Sequence, residues 1–248
     1  MKTILHISIL ALPGKRAIVI LKDMTRRTRR SLIVIVSLLL TLLSALAVAP
    51  QMTQYDSAQS PSDGTFSGAM AALETLPVKG RAAKTGYSRD QFGNGWAVIN
   101  GCDTRNIMLY RDLRNPQLDE SCRVLSGTLH DPYTNQTIQF SRSESDEVQI
   151  DHVVALSDAW QKGAQLLTTQ QREQFANDPL ELLAVSGDAN QAKADSDAAS
   201  WLPDYKPFRC QYVTRQIAIK QKYQLWVTLA EKEAMQTVLA RCPNQKLP

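Results

Sequence analysis

The chain has 248 residues, enough for one or two domains, and a formal net charge of +4 at pH 7. Residues 1–49 hold eight of the 28 Lys and Arg residues but one of the 24 acidic residues, so the rest of the chain carries −3. The basic character of the whole chain is therefore no evidence for nucleic-acid binding, and any phosphate-binding surface must be a local patch. The absence of G-x-S-x-G and G-x-x-x-x-G-K-[ST] patterns argues against a nucleophile-elbow hydrolase and a P-loop site.

Residues 1–49 have the pattern of an export signal. Four arginines at 26–30 precede an uncharged run of nineteen residues, 31–49, and Ala45-Leu46-Ala47 fits an A-x-A cleavage site. An uncleaved signal anchor is the alternative, because nineteen uncharged residues are just long enough to span a bilayer. We therefore expect a secreted or otherwise extracytoplasmic protein, anchored to a membrane by residues 31–49 only if they remain.

Residues 50–68, rich in Ser, Gln, Pro and Gly, predict a flexible linker, and residues 69–248 form the one domain that follows it. Apolar alternation predicts strands at 122–129, 137–141 and 147–151, which indicate a small antiparallel sheet. The apolar run 182–185 predicts a further strand, and 96–100 is another candidate. Apolar spacing and capping patterns predict helices at 69–76, 153–163, 168–177, 189–195 and over most of 210–240, with 106–112 either helix or strand.

All four cysteines lie beyond the export segment, at Cys102, Cys122, Cys210 and Cys242. An even number in an exported chain predicts disulfides, for which three pairings are possible. We favour Cys102–Cys122 with Cys210–Cys242, because each bond closes a local loop. A zinc site is the alternative, but no C-x₂-C pair and no nearby histidine supports it.

The most reactive side chains surround two short apolar runs. The first run ends in Asp151 and His152, and the second, residues 182–185, leads through a Ser-Gly-Asp turn into a helix with Asn190 and Lys193 on one face. Histidine suits a general base near neutral pH, and carboxylate and carboxamide oxygens are hard donors that suit Mg²⁺. The start of this helix would also offer backbone N–H groups to an anion.

These residues resemble the HNH, or ββα-metal, nuclease superfamily. The resemblance is greatest to the C-terminal nuclease domain of GmrSD-type modification-dependent restriction enzymes, which also occurs as small secreted bacterial proteins. It covers about residues 73–242 and rests on GYSR, GCDTRN, SGTLHDPYT, IDHVVALSDAW, FANDPLELLAV, NQAK and WLP. A ββα-metal core is thereby implied, and with the predicted sheet and packed C-terminal helices the expected fold class is α+β.

The resemblance also implies roles within the motif. Asp151 and Asn190 would be metal ligands and His152 the general base. Lys193 would contact the scissile phosphate or simply be solvated. Glu181 occupies the position where an asparagine often braces the loop of the site. Glu181 would therefore either brace this loop or face solvent.

Residues outside the strands have implied roles too. Arg89 and Arg105 lie in matching segments and are candidates for substrate binding. Superfamily members often have Gly after the motif lysine, whereas Ala194 follows it here; since helices tolerate Ala better than Gly, we read this difference as minor. Further candidates for a basic patch, each more simply read as a solvated charge, are Arg111, Lys206, Arg209, Arg215, Lys220 and Lys222.

The sequence therefore predicts an exported, metal-dependent HNH-type endonuclease that hydrolyses DNA phosphodiester bonds. Little sequence specificity is expected, because no base-reading module accompanies the motif. The expected cofactor is a divalent metal, Mg²⁺ before Mn²⁺ or Zn²⁺, and the expected partner is nucleic acid, DNA before RNA, with no obligate protein partner. The alternative is a non-catalytic exported binding module on a degenerate nuclease scaffold, which Glu181 and the acidic balance favour.

Overall fold

The computed structural model describes residues 68–248; the expected export segment and nearly all of the expected linker lie outside the described residues. The described part of the chain contains seven α-helices and three small antiparallel sheets, so the α+β class is confirmed. Among residues 68–248, no helix combines the length and the apolar composition needed to cross a membrane.

The elements follow one another closely along the chain. The helices are α1 (Ala69–Thr75), α2 (Thr104–Asp112), α3 (Leu156–Gln161), α4 (Thr169–Ala176), α5 (Gly187–Lys193), α6 (Arg209–Lys222) and α7 (Leu229–Leu239). The strands are β1 (Val98–Ile99), β2 (Cys102–Asp103), β3 (Leu113–Leu118), β4 (Val124–His130), β5 (Thr137–Ser141), β6 (Val148–His152) and β7 (Leu182–Ser186).

The three-stranded sheet has the order β3-β4-β5. We expected the 147–151 strand beside 137–141, but β3 completes this sheet and β6 does not join it. No strand was predicted at β3, because Pro116 interrupts the segment. The register between β3 and β4 shifts between Arg114 and Gln117, and β3 is an edge strand, where a sheet tolerates proline.

The two strands of the motif pair with each other. β6 and β7 are antiparallel from Val148 opposite Ser186 to His152 opposite Leu182, and α5 begins directly after β7. α3 and α4 form the long connection between the two strands; Thr168 and Gln171 make the predicted capping box that starts α4. The expected order of strand, connection, strand and helix is therefore present.

The mostly helical region 210–240 forms two helices, which agrees with the expected packed C-terminal helices. α6 ends at Lys222, and Thr228 starts α7 with a second capping box to Glu231. Cys210–Cys242 links the start of α6 to the residues after α7, and Cys102–Cys122 closes the segment around α2, so the favoured pairing is confirmed. The central apolar core lies between α1, β7, α6 and α7; its fully buried members include Leu73, Val185, Ile217 and Met235.

A group of charged side chains, all of them buried except Arg81, ties α3 to the C-terminal helices. The Lys162 ammonium lies 2.8 Å from Asp158, 2.7 Å from Asp197 and 2.6 Å from Glu231. Lys220 lies 2.9 Å from Glu231, and Arg81 lies 2.8 Å from both aspartates. We call this the Lys162 cluster: Lys162, Lys220, Arg81, Asp158, Asp197 and Glu231. Its three positive charges balance its three carboxylates, and it fixes the helix that follows His152.

Candidate active site around Asp151 and His152

A cavity of about 320 Å³ lies beside the end of β6 and α5. Its lining includes Asp151 and His152 from β6, Asn190 from α5 and Arg89. Arg89 begins a short 3₁₀ turn, Arg89–Phe92, and its side chain is exposed. The fold therefore gathers a carboxylate, an imidazole, a carboxamide and a guanidinium that are far apart along the chain.

Asp151 is buried, and both of its carboxylate oxygens accept hydrogen bonds. The Tyr133 hydroxyl donates to Oδ2 at 2.5 Å and the Lys193 ammonium donates to Oδ1 at 2.8 Å. Burial raises the pKa of Asp151, while the charge and hydrogen bond of Lys193 act in the opposite direction. Tyr133 lies in the SGTLHDPYT segment, but nothing in the sequence indicated that it would contact Asp151.

Lys193 is fully buried and does not line the cavity. Besides Asp151, its ammonium donates to the backbone carbonyl of His152 at 2.8 Å. Of the two expectations for Lys193, the solvated side chain is wrong, because the residue is fully buried; a contact with the scissile phosphate stays a prediction. The ammonium compensates the Asp151 charge and holds the end of β6.

His152 is held by its ring. Nε2 lies 3.0 Å from the carbonyl oxygen of Ala176, and the ring is parallel to the indole of Trp96. Burial lowers the pKa of His152 to about 3, so the imidazole is neutral at pH 7. A neutral ring that donates from Nε2 carries its lone pair on Nδ1, and no atom within residues 68–248 hydrogen-bonds to Nδ1.

Glu181 lies beneath the site and not in it. It is fully buried, and its carboxylate accepts from the backbone N–H of Val154 at 3.1 Å, while its own carbonyl accepts from Val153 N–H at 2.9 Å. Burial raises its pKa well above the usual value, against the effect of Lys193. Glu181 therefore braces the chain that follows His152 and does not face solvent. It makes no contact that would let it act as a reacting group.

Asn190 presents its carbonyl oxygen to the site. Its Nδ2 donates to Gln149 Oε1 at 2.8 Å, which leaves Oδ1 without a protein donor among the described residues. In residues 68–248 no three His, Cys, Asp or Glu side chains come together as metal ligands. A divalent ion here would therefore have Asp151 and Asn190 as its protein donors, and its remaining ligands would be water or phosphate oxygens.

The start of α5 does not form the anion site that we expected. Gly187 N–H donates to the carbonyl of Glu147 at 2.9 Å, and the Ser186 hydroxyl accepts from Ala189 N–H. These N–H groups are used by the protein itself. A Cβ at Gly187 would lie 2.0 Å from the carbonyl oxygen of Asp146, so the glycine serves close packing.

Ala194 also differs from our interpretation. It follows the last turn of α5 with φ 48° and ψ −123°, outside the helix, in a region that favours glycine. Helix propensity was therefore the wrong criterion, and alanine at this position strains the backbone.

The other basic candidates are largely used within the fold. Arg111 and Arg215 donate to backbone carbonyls in residues 179–182, and Lys222 pairs with Asp178. Lys220 belongs to the buried Lys162 cluster and is not a solvated charge. Arg105 is half-buried on α2 and does not line the cavity of about 320 Å³. Nor does it line a second, smaller cavity of about 180 Å³, which Trp96 and His152 line. Of the two arginines expected to bind substrate, Arg89 alone lines these two cavities.

Comparison with known proteins agrees with the motif. Residues 103–238 match the family described as "GmrSD restriction endonucleases, C-terminal domain". An "Uncharacterized secreted protein" of Arthroderma benhamiae is 41% identical over 185 residues, which cover 73% of this chain and 88% of that protein. No solved structure matches the chain. The matched residues span more than half of the sequence and contain Asp151, His152 and Asn190, so the chain belongs to the GmrSD restriction endonuclease C-terminal domain family.

Proposed function

We propose that this protein is an exported, metal-dependent HNH-type endonuclease that hydrolyses DNA phosphodiester bonds with little sequence specificity. The observation that carries the proposal is the single cavity shared by Asp151, His152, Asn190 and Arg89, in a chain that belongs to a family of restriction endonuclease domains. Such a cavity has an acceptor for a proton, hard oxygen donors and a cation for an anionic substrate, as phosphodiester hydrolysis requires.

His152 would accept the proton of the attacking water. Its Nε2 is committed to Ala176, so Nδ1 is the nitrogen with a free lone pair. Without a bound substrate the pKa of His152 is about 3, which makes the imidazole a weak base. A bound phosphodiester brings negative charge to the ring and raises this pKa towards the range where a general base works near neutral pH.

Asp151 and Asn190 fit a hydrated divalent ion. Both are hard oxygen donors; Asn190 Oδ1 has no protein donor among the described residues, and each Asp151 oxygen keeps a second lone pair beside its hydrogen bond. Two protein donors suit Mg²⁺, which retains most of its waters, better than Zn²⁺, which takes three or four His, Cys or carboxylate ligands. When bound, such an ion would stabilise negative charge on the phosphate and on the leaving oxygen.

Arg89 would hold the phosphate. It is exposed, lines the cavity and forms no ion pair within residues 68–248. The other basic candidates are used inside the fold or lie away from the cavity, so base-specific recognition has no evident support and a backbone contact is favoured.

Three features support export. Residues 1–49 have a signal pattern, both disulfides form in the described domain, and the relative of Arthroderma benhamiae is described as secreted. A membrane contact would require that residues 31–49 remain attached.

A non-catalytic binding module is the second candidate. The observation that favours it is the environment of Asp151, whose two oxygens already accept from Tyr133 and Lys193. On this alternative the ammonium replaces the metal ion, and Arg89 binds nucleic acid without cleavage.

One experiment separates the two. The chain lacking residues 1–49 is incubated with supercoiled plasmid and Mg²⁺, Mn²⁺ or Zn²⁺, with and without EDTA. The enzyme nicks the plasmid only with metal, and His152→Ala lowers the rate by about 10²–10⁴-fold, whereas the matched control His130→Ala, an exposed residue outside the cavity, keeps it. Metal-independent retardation of the plasmid without nicking would establish the binding module instead.

A further inference from the structure

We propose that Trp96, held in place by Asn177, is a positioning residue for the His152 imidazole. The inference rests on the proposed role of His152 as the base. The indole and imidazole rings are parallel to within 3°, and their centroids are 5.8 Å apart. This is an offset stack, which constrains the plane of the smaller ring.

Two adjacent residues at the end of α4 position the His152 ring. Ala176 bonds to the ring itself, and Asn177 holds the segment that carries Trp96. The Ala176 carbonyl oxygen lies 3.0 Å from His152 Nε2. The next residue, Asn177, accepts from the backbone N–H of Ala97 at 2.9 Å and donates to the carbonyl of Glu173 at 3.0 Å. One end of α4 therefore fixes the edge of the imidazole directly and its face through Trp96.

The segment that carries Trp96 is attached to α4 at a second point. Arg172 donates to the backbone carbonyl of Gln91 at 2.7 Å. Gly93 and Gly95, with φ 103° and 90°, turn the chain between the two attachments. These contacts hold the segment against α4 and bring the half-buried Trp96 over the ring.

The indole of Trp96 is held differently from those of Trp160 and Trp226. The indole N–H groups of Trp160 and Trp226 donate to the backbone carbonyls of Thr85 and Gly80. No such bond holds the indole of Trp96 within the described residues; its ring packs against the apolar cluster that includes Met108 and Leu109 and stacks on His152.

A positioning role follows from the remaining freedom of the imidazole. A hydrogen bond at Nε2 alone still permits the ring to tilt about the Cβ–Cγ bond, because Nε2 lies close to that axis, and such a tilt would redirect the Nδ1 lone pair. The stacked indole prevents this tilt. Misplacement of a reacting group by about 1 Å costs about 10²-fold in rate, so the loss of the stack should lower kcat more than substrate binding.

The test compares Trp96→Leu, Trp96→Phe and Asn177→Ala with the wild type in the plasmid assay, with kcat and KM measured separately. We expect Trp96→Leu to lower kcat by about 10- to 100-fold with KM within about threefold, and Trp96→Phe, which keeps an aromatic face, to recover most of the loss. Asn177→Ala should lower kcat in the same direction by a smaller factor. The matched control Trp226→Leu removes an indole that lines neither cavity at the site and should lower Tm but not kcat.

A second measurement does not depend on the native imidazole. In His152→Gly, added imidazole should restore part of the activity, and in His152→Gly/Trp96→Leu half-maximal rescue should need at least about tenfold more imidazole. A Trp96→Leu kcat within twofold of wild type, or equal rescue in both backgrounds, overturns the inference while His152→Ala still tests the proposed function. A wild-type protein without nuclease activity would instead remove the proposed function itself. If Trp96→Leu does not fold, Trp96→Phe and Asn177→Ala decide, and unchanged kcat in both overturns the inference.

Discussion

Two groups of charged side chains, each with buried carboxylates, differ in the balance between positive and negative charge. The Lys162 cluster has three cations for three carboxylates. The second group, which we call the Asp151 cluster, consists of Asp151, Glu181, Lys193 and Tyr133, and its two carboxylates share one ammonium. The balanced group is shielded from both cavities at the site, whereas the unbalanced group contributes Asp151 to the larger one.

The difference teaches how each group is used. Buried ion pairs with matched charges hold elements together, and removing one partner is costly. Buried carboxylates without enough cations have raised pKa values and a tendency to bind protons or metal ions, which is common at functional sites. We therefore expect substitutions in the Lys162 cluster to alter stability, and substitutions in the Asp151 cluster to alter pH dependence and activity.

The largest expected effect is that of Lys162→Met. It leaves three buried carboxylates with fewer partners, so the free energy of unfolding should fall by about 3–5 kcal/mol. Urea denaturation at pH 7 measures it. The control Lys232→Met removes a surface pair, 2.7 Å from Glu74, and should cost less than about 1 kcal/mol. Equal losses in the two variants would show that the cluster does not stabilise the fold.

A pair of fully buried glutamates gives the sharpest comparison. Glu231→Gln should cost about 3 kcal/mol at pH 7, because Lys162 and Lys220 lose a charged partner. Glu181→Gln should cost less than about 1 kcal/mol, because burial raises the pKa of Glu181 and the neutral amide can still accept from Val154. Chemical denaturation of the two variants side by side is the measurement, and the reverse order would contradict the assignment of balanced and unbalanced clusters.

Lys193→Met should make stability depend on pH. Burial already raises the pKa of Asp151, and the loss of Lys193 raises it further. The folded state then holds a proton that the unfolded state releases above about pH 4, so stability should fall as pH rises from 4 to 7, by up to about 1.4 kcal/mol per unit. Urea midpoints at several pH values test this, and Asp151→Asn/Lys193→Met should show a shallower fall, to which the raised pKa of Glu181 still contributes. A flat profile in Lys193→Met itself would contradict the expectation.

The smallest effect is expected at Asp197 in acid. Burial alone would raise its pKa, but Lys162 and Arg81 hold the pKa at about 2. The ion pairs of Asp197 therefore stabilise the fold fully above about pH 4, and their contribution is lost as pH falls towards 2. The free energy of unfolding should fall by about 1–2 kcal/mol over this range. Asp197→Asn should lack this loss when thermal unfolding is followed from pH 5 to 2. If Tm falls equally with pH in the variant and the wild type, Lys162 and Arg81 do not lower the pKa of Asp197.

The sequence predicted those parts of the fold that local patterns specify. Both motif strands, the capping box at Thr168 and the disulfide pairing follow from alternation, a side-chain spacing and local loop closure. β3 was missed because Pro116 lies at a bulge, and the boundary between α6 and α7 was not located because both helices continue the same apolar spacing. Local sequence patterns do not specify these features; they depend on contacts with other parts of the fold.

The candidate site was predicted as a set of residues, but its contacts were not. Asp151, His152 and Asn190 do share a cavity, whereas nothing local indicates that Tyr133 and Lys193 bind Asp151 or that Trp96 stacks on His152. For Lys220 a signal existed: it lies three residues after the buried Ile217, on the apolar face of α6. A charge on such a face indicates a buried ion pair, not a DNA-binding patch.

Ala194 has a consequence for how the domain could be made more robust. Its methyl group occupies a backbone conformation that glycine adopts without strain, directly after the helix that supplies Asn190. Replacing it by glycine would relieve that strain, offset in part by the greater freedom of the unfolded chain. A domain intended for heat or long storage thus has a place for engineering that leaves Asp151, His152, Asn190 and every buried charge unchanged.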